Sequence, residues 1–184
     1  MYEVRWHGRA GQGVITVSRL LGIAAMMEGK HIQAFPEFGP ERIGAPMSGF
    51  TRISDKPIEV RSKIYNPDAV IILDPTLPSF VDVSEGLKRD GKIIMNTKKT
   101  PRTVLEELGL KGPSCYSIDA TEISIKILGS ARGINTVMLG ALAKATGIVS
   151  MNAVRDAMKS RFKGDILEKN LELLESGSQE VIGG

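Results

Sequence analysis

The chain opens with an apolar strand pattern over Tyr2–His7, and Gly8, Gly11 and Gly13 follow within six residues. An apolar helical pattern begins immediately afterwards, at Val14. Because glycine has no Cβ, the backbone of such a turn can adopt positive φ and come close to a ligand. The helix behind it presents unpaired N–H groups and the positive end of its dipole. This order of strand, glycine turn and helix predicts an anion-binding turn, or else a tight turn that binds nothing.

The spacing of the glycines argues against the common classes of nucleotide-binding turn. It is Gly-x-x-Gly-x-Gly, whereas dinucleotide-binding folds carry Gly-x-Gly-x-x-Gly. No Lys-Ser or Lys-Thr pair follows the turn, which argues against a nucleotide-hydrolysing P-loop. Within the turn, Arg9 offers a positive charge to a phosphate and Gln12 offers an amide donor. We therefore predict a ligand-binding turn outside the standard NAD class, built from Gly8, Arg9, Gly11, Gln12 and Gly13.

Strand and helix patterns alternate along most of the chain. The predicted strands are 2–7, 31–36, 47–54, 58–61, 69–73, 92–95 and 114–118, and the predicted helices are 14–27, 79–87, 103–108, 120–128, 135–145, 150–160 and 167–174. This order predicts an α/β fold with an open, mostly parallel, Rossmann-like sheet and helices on both faces. We also predict an inserted antiparallel hairpin of 47–54 and 58–61 and a helical C-terminal end. Residues 1–175 are expected to form a single α/β domain, followed by a flexible tail over 176–184.

A second unusual segment runs from Glu37 to Pro46. Its glycines and prolines are incompatible with a continuous helix or a central strand. A loop of this kind is costly to order, which favours a role in lining a site or contacting a partner over a merely braced surface loop. The candidate residues for that role are Glu37, Glu41 and Arg42, together with Arg52 on the following strand.

Composition excludes several classes of function. A single cysteine, Cys115, permits neither an internal disulfide nor an iron–sulfur cluster held by this chain's own thiolates. His7 and His31 are too few to build a metal site without other ligands. The net charge of +3 is not concentrated in one block, which argues against nucleic acid as a partner. Since no signal peptide or apolar membrane span is evident, we expect a cytoplasmic protein.

Longer stretches of the sequence resemble a known family. They are Gly8–Val14, Gln33–Pro46, Phe50–Ile53, Asn66–Asp68, Leu73–Leu77 and Arg132–Ala141. Together these stretches resemble the gamma subunit of the 2-oxoacid:ferredoxin oxidoreductases, and of pyruvate:ferredoxin oxidoreductase (pyruvate synthase) in particular. The resemblance extends over almost the whole chain, and its most specific part is the loop that ends at Pro46.

This resemblance implies a subunit of an enzyme complex. The alpha, beta and delta subunits of such a complex hold thiamine pyrophosphate and [4Fe-4S] clusters, and the complex oxidatively decarboxylates pyruvate with coenzyme A and reduces ferredoxin. It implies that this chain holds no catalytic residue and no cofactor of its own. The glycine turn is then expected to help form the coenzyme A region. The isolated chain is expected to be inactive and to associate with itself through surfaces that partner subunits cover.

Three alternatives stay open at the level of sequence. The chain resembles the gamma subunit of a branched-chain 2-oxoacid enzyme nearly as well. A stand-alone nucleotide-binding reductase domain would use the same glycine turn. A pure interaction module would use the turn for packing alone. The second alternative predicts nucleotide binding by the lone protein, and the third predicts that changes in the turn leave activity unaffected.

Overall fold

Seven strands form one open sheet in the order β2-β3-β1-β4-β5-β6-β7. The structure is a computed structural model that describes residues 1–37 and 44–184. The strands are β1 (Tyr2–Arg9), β2 (His31–Pro36), β3 (Pro46–Ser54), β4 (Ala69–Ile72), β5 (Lys92–Asn96), β6 (Ser114–Ile118) and β7 (Ile182–Gly183). Strands β1, β4, β5 and β6 are parallel neighbours, while β2, β3 and β7 are antiparallel to theirs. The predicted α/β fold is confirmed, with a sheet that is mixed and has its parallel strands at the centre.

The antiparallel hairpin pairs different segments from those that the sequence predicts. Strand β3 pairs with β2, from His31 opposite Ser54 to Pro36 opposite Gly49. Residues 58–61 are not a strand, so the predicted hairpin of 47–54 and 58–61 is wrong. The reason lies in Arg52, whose guanidinium donates to backbone oxygens in the segment that follows Pro57. These hydrogen bonds draw residues 58–66 across one face of the sheet and away from the ladder.

In the described part of the chain, six α-helices accompany the sheet. They are α1 (Val14–Met27), α2 (Pro101–Glu107), α3 (Ala120–Leu128), α4 (Ile134–Thr146), α5 (Met151–Arg161) and α6 (Gly164–Glu180). Thr100, Asp119 and Ser150 cap α2, α3 and α5, because each side-chain oxygen accepts a backbone N–H of the first turn. Within the described residues, no helix is both long enough and apolar enough to cross a bilayer.

The structure has a short turn where the sequence predicts a helix over 79–87. A helix over 79–87 is wrong, since only a 3-10 turn, Leu77–Ser79, forms there. The side chain of Asp82 accepts the backbone N–H and the hydroxyl of Ser84, and this local turn competes with a helix. At the C-terminal end, α6 runs to Glu180 and β7 then pairs with β6, so these elements occupy most of residues 176–184.

The two faces of the sheet are covered unequally. Alternation along β1 and β4 directs Val4, Trp6 and Ile71 into a large core under α1 and α4, with α3, α5 and α6 packed into the same core. On the other face, Val70 and Ile72 join a smaller core under α2 and the 3-10 turn. That second core covers the parallel strands. Over β1, β3 and β2 the same face carries polar side chains and an open cleft.

Candidate functional site

The glycines of the turn are required for two physical reasons, a positive φ and the close approach of neighbouring atoms. Gly11 has φ +100° and Gly13 has φ +77°, values that favour glycine. A Cβ on Gly8 would lie 2.5 Å from Cγ2 of Val14, so the strand and the helix start approach too closely for a side chain. A Cβ on Gly13 would lie 2.3 Å from Nδ2 of Asn135, which donates a long hydrogen bond of 3.4 Å to the Gly13 carbonyl. The turn is therefore a tightly specified strand-to-helix connection.

Arg9 and Gln12 are engaged inside the turn. The Arg9 guanidinium donates to Oδ2 of Asp74 over 2.8 Å, to the Gly44 carbonyl over 3.0 Å and to Oγ1 of Thr76 over 2.8 Å. Gln12 Oε1 accepts the backbone N–H of Arg9 over 2.7 Å, and its amide nitrogen lies 3.4 Å from Oδ2 of Asp74. Both side chains thus hold the turn against the end of β4, and neither extends freely towards solvent.

The Asp74 carboxylate is the common acceptor of this network. Burial raises the cost of its charge, but hydrogen bonds from Thr76 and Arg9 outweigh that cost and hold the pKa of Asp74 below its ordinary value. Asp74 therefore stays ionised at neutral pH and offsets the positive charge of Arg9. What the turn still offers an anion is its backbone. Within residues 1–37 and 44–184, the N–H groups of Val14, Ile15 and Thr16 have no backbone acceptor.

A cleft of about 1070 Å³ begins at the turn and extends along the polar face of the sheet. Its floor is formed by β1 and β3, and its walls are the segments 63–66 and 81–86. The lining includes Gly11 of the turn and Arg5 of β1, with Phe50 directly opposite Arg5 on β3. The glycine turn and the cleft are therefore one continuous surface, of mixed apolar and charged character.

Two buried side chains of β1 face this cleft. Arg5 is 7% exposed and His7 is 8% exposed. Nε of Arg5 donates to Nε2 of His7 over 3.1 Å, and Nη2 donates to the backbone oxygens of Val83 and Glu85. The His7 proton therefore belongs on Nδ1, which lies 3.5 Å from Oγ of Ser48. Arg5 connects β1 to the wall of the cleft.

The environment of this pair keeps His7 neutral. Burial is the main cause, and the positive charge of Arg5 adds to it, so that the pKa of His7 falls from its ordinary value of 6.5 to about 4. Burial also lowers the pKa of Arg5, against the attraction of Glu85, Asp82 and Glu37. The face of β1 that lines the cleft thus carries one positive charge and one neutral imidazole.

Of the four residues proposed as site-lining or interface residues, the structure describes Arg52 and Glu37. Arg52 is 1% exposed, donates to Glu3 over 2.8 Å and braces the segment 58–66, so its described contacts are structural. Glu37 lines the mouth of the cleft and pairs with Lys63 over 3.2 Å. Glu41 and Arg42 lie outside the described residues.

Sequence reasoning did not place Arg5, His7 or Lys63 among the candidate site residues. One signal was available for Arg5 and His7. They alternate with Val4 and Trp6 on the first strand, so a strand at the centre of the sheet had to place a charged and a polar side chain together on one face. Lys63 carried no comparable signal, because its segment was predicted to follow a hairpin.

A mixed sheet with a glycine turn at the carboxyl end of its first strand defines an α/β subunit of Rossmann-like architecture. Residues 3–180 match the family model described as pyruvate ferredoxin/flavodoxin oxidoreductase, and the chain belongs to that family.

The relatives match over nearly their whole length. The "Pyruvate/ketoisovalerate oxidoreductases common subunit gamma" of Thermococcus litoralis is 48% identical over 182 residues, covering 99% of this chain and 98% of the relative. "Pyruvate synthase subunit PorC" of Methanocaldococcus jannaschii is 47% identical over 182 residues, with coverage of 99% and 98%. The crystal structure of pyruvate oxidoreductase subunit PORC from Thermotoga maritima matches with a TM-score of 0.88 and 38% identity, covering 100% of this chain and 98% of that one. The predicted resemblance to gamma subunits is confirmed, and the chain is a subunit of an oxidoreductase complex.

The contact between Arg9 and Asp74 is expected to stabilise the turn. In a double-mutant cycle of Arg9→Ala and Asp74→Ala, we expect a coupling energy of about 1–2 kcal/mol in the free energy of unfolding, because the hydrogen bonds are charge-assisted and half-buried. Chemical denaturation of the four proteins measures it. The exposed pair Arg102 and Glu106 on α2 is the control and should show no measurable coupling. Independent, additive effects of the Arg9 and Asp74 changes would contradict this account.

The buried His7 should make stability depend on pH. Between pH 6.5 and 4 the unfolded chain binds a proton that the folded chain excludes, so the stability present above pH 6.5 is lost as the pH falls. This loss amounts to about 3 kcal/mol. We expect the penalty of His7→Gln in the free energy of unfolding to shrink by about this amount from pH 7 to pH 4.

The control for this measurement is His31→Gln, which makes the same substitution at an exposed position on β2. If the His7→Gln penalty were the same at pH 7 and pH 4, the imidazole would not be held neutral by its surroundings.

Proposed function

We propose that this chain is the gamma subunit of a cytoplasmic pyruvate:ferredoxin oxidoreductase (pyruvate synthase). The complex would convert pyruvate and coenzyme A into acetyl-CoA and CO₂ and pass two electrons to ferredoxin. The observation that carries this proposal is the end-to-end match to gamma subunits, at 48% identity over 182 residues. Alpha, beta and delta subunits are the proposed partners.

The redox cofactors are proposed to belong to those partners. A [4Fe-4S] cluster takes four thiolates, whereas this chain has one cysteine, so its residues do not fit that group. Burial raises the pKa of Cys115 to about 11, which leaves its thiol unreactive. Among residues 1–37 and 44–184, no cluster of His, Cys, Asp or Glu is arranged to hold a metal. We infer that the isolated chain is inactive and that it associates with itself when its partners are absent.

The contribution of this chain is proposed to be part of the coenzyme A region. The residues of the glycine turn fit a phosphate, because the helix start has free backbone N–H groups and a positive dipole end. Apart from Gly11 and its two chain neighbours, no described atom lies within 4 Å of the position that a Cβ on Gly11 would take, so a ligand can approach the backbone there. In this proposal Gly8, Gly11 and Gly13 shape the cradle, and Arg9 and Gln12 fix it through Asp74.

A second 2-oxoacid is a candidate substrate of the complex. Relatives at 48% identity are named as common gamma subunits of pyruvate and ketoisovalerate oxidoreductases. We propose that this chain likewise serves whichever 2-oxoacid its catalytic partners select. In this proposal the glycine turn recognises coenzyme A, and other subunits select the oxoacid.

Reconstitution of the complex with and without this chain tests the proposed function. We expect pyruvate- and coenzyme A-dependent reduction of ferredoxin only when the chain is present, and no turnover by the chain alone. Omission should also lower the amount of assembled complex in gel filtration. Full activity without the chain, or nucleotide-dependent reductase activity of the isolated chain, would contradict the proposal.

The Gly11→Val variant tests the turn. A branched side chain at φ +100° strains the backbone and occupies the approach to it, so we expect the KM for coenzyme A to rise about tenfold, which corresponds to about 1.4 kcal/mol of binding free energy. The KM for pyruvate should change little. The matched control is Gly129→Val at the end of α3, where φ is +68° and a Cβ also meets open space. An unchanged KM for coenzyme A in the Gly11 variant would remove the turn from the ligand site.

A further inference from the structure

The buried cation on β1 has no ion-pair partner among the described residues. Arg5 is 7% exposed, yet among the described residues no carboxylate lies within 4.0 Å of its guanidinium. Its three hydrogen-bond acceptors are the neutral imidazole of His7 and two backbone oxygens. The Nη1 group has no acceptor among the described residues and belongs to a side chain that lines the cleft. An unpaired buried charge is costly, and a hydrogen-bonded counter-charge offsets part of that cost.

The charges around the cleft select the kind of anion that would complete this pair. Asp82, Glu85 and Glu37 lie at its edge, and the one further cation of the described lining, Lys63, is already paired with Glu37. A dianionic phosphate would meet this negative edge with one buried arginine to neutralise it. A single carboxylate matches Arg5 in charge and in the planar geometry of its hydrogen bonds.

The size and lining of the cleft indicate where that carboxylate comes from. The volume of about 1070 Å³ exceeds the roughly 300–1,000 Å³ of typical small-molecule sites, so a three- or five-carbon acid would leave most of it empty. Val81 is partly exposed in the lining, and Tyr65 at the mouth is 60% exposed. Aromatic and apolar groups around one arginine are the composition of a protein–protein contact.

We propose that this cleft receives a segment of a partner subunit, in which an acidic side chain flanked by apolar residues pairs with Arg5. This inference rests on the proposed function, since it needs the assembled complex. The carboxylate takes Nη1 of Arg5, and the apolar neighbours of the acid pack on Val81 and Tyr65. The segment fills the Arg5 end of the cleft and leaves the glycine turn open at the other end.

Photo-crosslinking in the reconstituted holoenzyme tests the proposal. p-Benzoylphenylalanine replaces Tyr65, and mass spectrometry identifies what it captures. We expect one peptide of a partner subunit that contains Asp or Glu between apolar residues. The control places the same probe at Ile166, which is 63% exposed on α6, on the opposite side of the sheet. That position should not capture the same peptide.

Variants of Arg5 separate charge pairing from structure. Arg5→Met should lower the yield of the Tyr65-position crosslink at least tenfold, while Arg5→Lys, which keeps the charge, should retain most of it. Thermal unfolding of each isolated variant reports whether the wall at Val83 and Glu85 is retained. If Arg5→Met does not fold, Lys63→Glu provides the same test, because it brings a negative charge to the mouth and should also reduce the crosslink.

The outcomes distinguish this inference from the proposed function. An active complex whose probe captures only this chain, or no protein at all, overturns the inference and leaves the function standing. A partner peptide without an acidic residue, or a crosslink unaffected by Arg5→Met, overturns it as well. Failure to assemble any complex with the unmodified chain overturns the function itself.

Discussion

The alternation of side chains along β1 is the constraint on which the rest of the structure depends. The strand lies between parallel β4 and antiparallel β3, so both of its edges are fixed by ladders. One face sends Trp6 into the main core, where its indole N–H donates to Thr51 over 3.2 Å. The other face sends Arg5 and His7 into the cleft. A slip of one residue would bury the charge among the helices and expose the tryptophan, so the register that builds the core also builds the cleft.

Local patterns were sufficient for most of the sheet and for several helix ends. The predicted strand over 69–73 and the predicted helix over 120–128 depend on residues close in sequence, and the structure has a strand at Ala69–Ile72 and a helix at Ala120–Leu128. The failures come from contacts distant in sequence or from local competition. Residues 58–61 have strand-like composition, but hydrogen bonds from Arg52 draw that segment onto the face of the sheet. No pattern in the segment itself signals the guanidinium.

The function of the glycine turn is also only partly predictable from the sequence. The positive φ values of Gly11 and Gly13 follow from the sequence, because few other residues adopt them. The roles of Arg9 and Gln12 do not, since Asp74 lies 65 positions after Arg9 in the chain. A positive residue in a glycine turn indicates an anion, yet here the anion that it meets is the protein's own carboxylate. The backbone remains as the group with which the turn can meet a ligand.

The unequal layers of the fold explain why such a chain suits a complex. Over the parallel strands both faces carry apolar cores, as parallel sheets require. Over β1, β3 and β2 only the face under α1 does so, which antiparallel strands tolerate. The other face carries a desolvated arginine in an open cleft, an arrangement that a lone globular domain gains nothing by keeping. An additional layer that brings a carboxylate would complete the packing and give Arg5 an ion-pair partner, and in a subunit of a larger enzyme we infer that this layer belongs to a neighbour.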